Sequence, residues 1–218
     1  MSSPRPPTRP AFSLIELLAV LALVAILVVA GIPAIASLSS GNQFTRNMYH
    51  LSETLQFARA KAMGENTYVW VGLLPQPAGD AGNSSGADRV MLLVVSARNG
   101  LGSDLAAGNV HAETRVRVLD RLRINPIDAA SLPATDRETL DVDDLSAGTL
   151  GTLTGALAGK TLTFTELIQF DPRGAARIKP TASKWIEIGL RPDGEGERSN
   201  FGVIQINGLT GQTRFFRQ

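Results

Sequence analysis

Residues 12–38 read FSLIELLAVLALVAILVVAGIPAIASL, and the interpretation of this stretch governs the rest of the chain. From Leu17 to Ile32 no side chain is polar, and Glu16 is the only charge between Phe12 and Leu38. At ~1.5 Å of rise per residue such a helix reaches roughly 40 Å, enough to cross a hydrocarbon core of about 30 Å. The pattern therefore predicts a transmembrane helix over 12–38. Arg5 and Arg9 precede it, and no positive charge follows until Arg46. The positive-inside bias then places the N-terminus in the cytoplasm and everything after the helix outside.

Three kinds of segment could carry this pattern. One is a plain anchor. A second is a secretory signal peptide, because Ala34-Ile35-Ala36 offers a small-x-small cleavage site behind an apolar run. The third is a segment cleaved in front of the apolar run, which then stays attached. Glu16 separates them. A carboxylate at the edge of an apolar helix costs a few kcal/mol to insert and so normally has a partner or a task.

The window Pro10-Ala11-Phe12-Ser13-Leu14-Ile15-Glu16-Leu17-Leu18 resembles the processing motif of type IV prepilins. That family has a short basic leader, a small residue at the cut, an aromatic first mature residue and a glutamate at the fifth mature position. Ala11 stands where the family usually has glycine. The resemblance implies cleavage after Ala11 by a prepilin peptidase and methylation of the Phe12 amine. It implies an assembly role for Glu16, which would attract the terminal amine of a neighbouring subunit. It also implies a helix bend at Pro33, since a proline in a helix interior removes one hydrogen bond and clashes with a carbonyl one turn back. The implied partners are the inner membrane, the prepilin peptidase and other pilin or pseudopilin subunits. The implied location is the bacterial inner membrane, single-pass, with the globular domain periplasmic and filament-associated after processing.

Beyond the apolar run, Phe44, Met48, Leu51, Leu55, Ala58 and Ala62 recur at spacings of four and three, one stripe on a helix. Gly64 and Asn66 supply stop signals. The period then changes to that of strands, expected at 68–74, 89–95, 115–119, 161–164, 167–170, 176–178, 185–190, 202–206 and 213–216. The strand over 89–95 is apolar on both faces, and the last two strands flank Asn207-Gly208-Leu209-Thr210-Gly211 as a terminal hairpin. Stretches 75–88, 99–109 and 125–159, rich in Gly, Ala, Pro and Ser, are expected as surface loops. The expected fold class is α+β and pilin-like: a long N-terminal helix, transmembrane half plus amphipathic half, packed on antiparallel sheet. Its segments are a leader (1–11), a transmembrane helix (12–38), an amphipathic continuation (39–66) and a β-rich domain (67–218).

The sequence Phe57-Ala58-Arg59-Ala60-Lys61-Ala62, the later Ile168-Gln169-Phe170-Asp171-Pro172-Arg173-Gly174 and the final hairpin resemble H-type pseudopilins of type II secretion and related minor pilins. The chain is also similar to the D-type pilin-like proteins of Verru_Chthon cassettes. The resemblance implies a minor pseudopilin, assembled into a type II secretion pseudopilus or a type IV pilus-like filament. The alternative is a minor pilin used as a binding module, for DNA uptake or adhesion, through its terminal hairpin and loops. Arg214 and Arg217 are the candidate nucleic-acid contacts, but their spacing departs from the Gly-Arg-x-Arg of DNA-binding minor pilins. With 21 basic against 20 acidic residues, the chain has no strong field for gripping phosphates, and nucleic acid is not the expected partner.

No enzymatic constellation is legible. There is no cysteine, and His50 and His111 have no neighbouring ligands in sequence. The acidic run Asp136, Glu138, Asp141, Asp143 and Asp144 lacks the EF-hand pattern and is expected as a solvated loop. Gly194-Glu195-Gly196 has no strand–helix context for a phosphate loop. No cofactor, metal or catalytic residue is expected.

Overall fold

The computed structural model describes residues 14–80, 83, 85–125, 137–193 and 201–217, and of residues 28–41 the backbone alone. The chain divides into two units, Met1–Ser40 and Gly41–Gln218. One helix, α1 (Leu14–Gly64), contributes to both.

In the first unit, α1 runs through residues rich in Leu and Ala, which lose little side-chain entropy in a helix. Its described large apolar side chains, from Leu14 to Leu27, are between 50% and 78% exposed. The expected fold class is corrected at this point. The described structure is mostly antiparallel β-sheet, and among the described residues no helix is long and apolar enough to cross a membrane. The apolar side chains that are described, at residues 14–27, cover only about 20 Å along a helix axis and include Glu16, against a hydrocarbon core of ~30 Å. The single-pass inner-membrane location, inferred from that span, is corrected with it.

The second unit is built on strands β1 (Val69–Gln76), β2 (Arg89–Ala97), β3 (Val110–Ala112), β4 (Arg117–Asp120), β5 (Leu122–Ile124), β6 (Val142–Asp144), β7 (Leu153–Leu157), β8 (Lys160–Phe164), β9 (Glu166–Phe170), β10 (Ala176–Arg177), β11 (Trp185–Pro192), β12 (Gly202–Asn207) and β13 (Thr213–Arg217). A first sheet has the order β10-β9-β1-β2-β3, with β4 also pairing β2. A second has the order β13-β12-β11-β5, with β6 added to β11 in parallel. The hairpin β7–β8 is a separate two-stranded sheet.

The helical stripe explains how these layers close. Phe44, Met48, Leu51, Leu55, Ala58 and Ala62 are all buried and share one core with Val69, Val71 and Leu73 of β1, Ile168 and Phe170 of β9, and Ile186, Ile188 and Leu190 of β11. Each such large side chain contributes roughly 1.5–3 kcal/mol when fully buried. Because strand side chains alternate, Trp70, Met91, Leu93 and Val95 point to the opposite face of the first sheet, where Leu153 and Phe164 of the β7–β8 hairpin cover them. Strands β1 and β2 are thus buried on both faces; for β2 the apolar run at 90–95 predicts this. The helix ends where Asn66 takes φ 51°, which lets Thr67 N–H reach Ala62 O at 3.1 Å.

The loop expected over 125–159 is corrected. It contains β6, a single 3-10 turn (Leu145–Ala147) and β7. Val-Asp-Asp and Leu-Thr-Gly-Ala-Leu lack a clear alternating pattern, and both strands form through partners distant in sequence or across a tight turn.

Candidate functional site

The sites inferred from sequence fall into four places, three of them toward the N-terminus. Ala11 and Phe12, the processing positions, lie outside the described residues, as does the leader. Glu16 is in the first turn of α1 and exposed, on a helix whose described neighbours are apolar on every side. Pro33 lies within the bounds of α1, where only backbone is described, so the side chain of the proposed bend position lies outside the described set. An apolar helix with no polar stripe normally has its whole circumference covered. Here residues 14–27 offer that circumference uncovered, with one carboxylate at the end.

The arginines of the terminal hairpin do not meet on one surface. β12 and β13 pair antiparallel from Gly202↔Arg217 to Ile206↔Thr213. On β13, Arg214 and Arg217 are three positions apart and therefore on opposite faces. Arg214 places its guanidinium carbon 5.7 Å from the centre of the Trp185 ring. Arg217 lies 5.8 Å from the Phe44 ring and donates to Thr45 Oγ1. Arg177, on β10 of the other sheet, lies 5.7 Å from the Tyr68 ring and donates to Gln169 Oε1. Each is held by an aromatic face of its own, on separate surfaces among the described residues.

The acidic run is likewise distributed. Lys179 Nζ is 2.7 Å from Asp143, Lys184 is 3.8 Å from Asp141, and Asp144 caps the 3-10 turn by accepting from Ser146 N–H at 2.9 Å. Asp136 and Gly194-Glu195-Gly196 lie outside the described residues. Among the described residues no group of three or more His, Cys, Asp or Glu could hold a metal ion. His50 Nδ1 lies 3.4 Å from Glu53 on the same helix, and His111 is on β3.

Two polar features escaped sequence reasoning. On the outer face of the second sheet, buried Glu187 accepts from Arg137 Nε at 2.9 Å and from Arg137 Nη2 at 2.5 Å, while Gln205 donates to it at 2.9 Å. The signal was present: a lone glutamate inside the apolar strand Trp-Ile-Glu-Ile and a lone glutamine in Val-Ile-Gln-Ile, directly opposite each other in register. The arginine could not be found by pattern, because it comes from an irregular segment far along the chain. The second feature is Glu166, at the start of β9 on the core-facing side with Ile168 and Phe170. Burial, reinforced by the nearby Asp144 carboxylate, pushes its carboxyl up to about 7, and its Oε2 is buried with no hydrogen-bond partner among the described residues.

No family model, curated protein or solved structure significantly matches the chain.

Proposed function

We propose that this chain is a minor pseudopilin-class filament subunit, cleaved after Ala11 by a prepilin peptidase and assembled with other subunits through the apolar part of α1. The observation that carries the reading is the exposure of residues 14–27 on all sides, with Glu16 the one charge among them. Apolar surface of this kind is stabilised by removal from water, and like helices from neighbouring subunits supply a cover of matching shape. Packing of apolar rods alone does not define an axial offset. Cleavage would leave the Phe12 amine cationic at neutral pH, and pairing it with a neighbour's Glu16 defines one. The engagement of Arg214, Arg217 and Arg177 with separate aromatic rings gives the DNA-binding alternative no support.

The test uses the full chain co-produced with a prepilin peptidase and its assembly machinery. Sequencing of the mature product is expected to start at Phe12, and a product starting near Ser37 would overturn the reading. Glu16→Ala is expected to be cleaved normally yet lost from sedimentable filaments. Unchanged incorporation of that variant would remove the register role.

A further inference from the structure

We infer that the edge of β7 away from β8, which pairs with no strand among the described residues, is an acceptor for an extended polypeptide segment of a partner, which adds to the β7–β8 hairpin as a third strand.

The hairpin closes through Ala158 (φ 49°) and Gly159 (φ 79°), a two-residue turn with both central residues left-handed. In such a turn Leu157 and Lys160 form the hydrogen-bonded pair, and alternation along the register Leu153↔Phe164 to Leu157↔Lys160 follows. Leu153, Gly155 and Leu157 therefore bond inward to β8. The N–H and C=O groups of Thr154 and Ala156 point outward, away from it.

Where that edge faces is set by packing. Phe164 of β8 lies over Gly72 of β1, where an added Cβ would sit 3.1 Å from it. Gly155 of β7 lies over β2, close enough that a Cβ would meet Leu93 Cδ2 at 2.7 Å and Val116 at 3.5 Å. The free edge of β7 thus looks toward the β3–β4 side of the first sheet. Between them is a slot of about 540 Å³, lined by Val95, Val110 and Val116 below and by Thr154 and Ala156 along one wall. This volume falls in the range of ligand pockets.

Three features specify an extended peptide as the occupant. The wall offers backbone donors and acceptors at the two-residue repeat of a strand, which only another extended backbone matches. The floor is apolar, so every second residue of the occupant should be apolar, as Gly155 and Leu157 are in β7. At the rim, Arg115 is exposed and has no ion-pair partner among the described residues, so a carboxylate on the occupant is complementary. A two-stranded hairpin is marginal by itself, and a third strand would also stabilise it. The inference stands apart from the filament reading, because it uses neither α1 nor Glu16.

The probe is a fluorescein-labelled synthetic peptide of alternating valine and threonine, with one aspartate and two terminal lysines for solubility, titrated into the full chain in mild detergent. Saturable anisotropy is expected, with hydrogen-exchange protection at Thr154 and Ala156. Ala156→Pro removes one outward N–H without touching the β7–β8 ladder, and should weaken binding about tenfold. Thr161→Pro removes an outward N–H from the opposite edge of the same hairpin and should leave affinity unchanged, which controls for hairpin damage. Arg115→Glu should weaken this peptide but not a version with asparagine for aspartate. Absence of saturable binding, binding indifferent to Ala156→Pro, equal losses from both proline variants, or protection mapped to β13 would each overturn the proposal.

Discussion

Single carboxylates in this molecule are pushed in opposite directions by their surroundings, and the difference can be measured. For Glu113, burial pushes the carboxyl up, but hydrogen bonds from Lys61, at 2.8 Å, and from Ser96, at 2.6 Å, outweigh it and hold the group below its ordinary value. A depressed carboxyl contributes stability above its ordinary value of 4.5 and loses it as pH falls through the folded value. Glu166 is the reverse. Its folded value of about 7 lies above the ordinary 4.5, so its contribution is fully present below 4.5 and is lost as pH rises through about 7. Denaturant midpoints of two variants should therefore diverge. Glu166→Gln should gain on the natural chain between pH 5 and pH 8, because it removes the cost of ionising a buried group. Glu113→Gln should be less stable than the natural chain at pH 7 and approach it in acid. Parallel pH curves for Glu166→Gln and the natural chain would show that Glu166 is better hydrated than its position indicates.

Among the elements, those legible from sequence are those with a clear repeat. The stripe from Phe44 to Ala62 is buried throughout because helical periodicity and burial are the same fact seen twice. Strands with long apolar or alternating runs, such as β1, β2, β11 and β12, lie within two residues of where their pattern puts them. β3, β5, β6 and β7 were not legible: their residues are short, polar or glycine-containing, and only tertiary pairing makes them strands. Glu16 stands out in the sequence because a lone carboxylate in an apolar run is conspicuous, and its assembly role is a proposal. The opposed faces of Arg214 and Arg217 follow only once β13 is in place. Gly208, inside the link already marked as turn-rich, turned out to join the two large sheets. Its N–H donates to Lys184 O and its carbonyl accepts from Ala176 N–H, both at 2.8 Å. An added Cβ there would sit 1.7 Å from Ser183 O, a backbone atom that cannot swing away. Gly208→Ala should cost about 1–3 kcal/mol of stability, read from its denaturation midpoint, because the β12–β13 turn must shift away from the Ser183 backbone. A cost within experimental error would mean that the turn relaxes freely.

At the scale of the whole molecule, the two units have different relations to water. The unit Gly41–Gln218 contains its own apolar clusters, in which the α1 stripe from Phe44 to Ala62 is buried against both large sheets. It has what a domain needs to fold independently. The described side chains of the unit Met1–Ser40 have no such cover, and a contiguous apolar surface of that size on an isolated chain drives association. On the filament reading, the two properties separate on cutting the chain. A fragment beginning at Gly41 should sediment as a monomer and keep a cooperative unfolding transition. The full chain should associate, and association should weaken with Glu16→Ala more than with Glu53→Ala, a carboxylate further along the same helix in the folded unit. Detergent should disperse the full chain without changing the unfolding midpoint of the fragment. A fragment that associates as strongly as the full chain would place the principal assembly surface on the β-rich unit, and the apolar rod would then need another occupant for its surface.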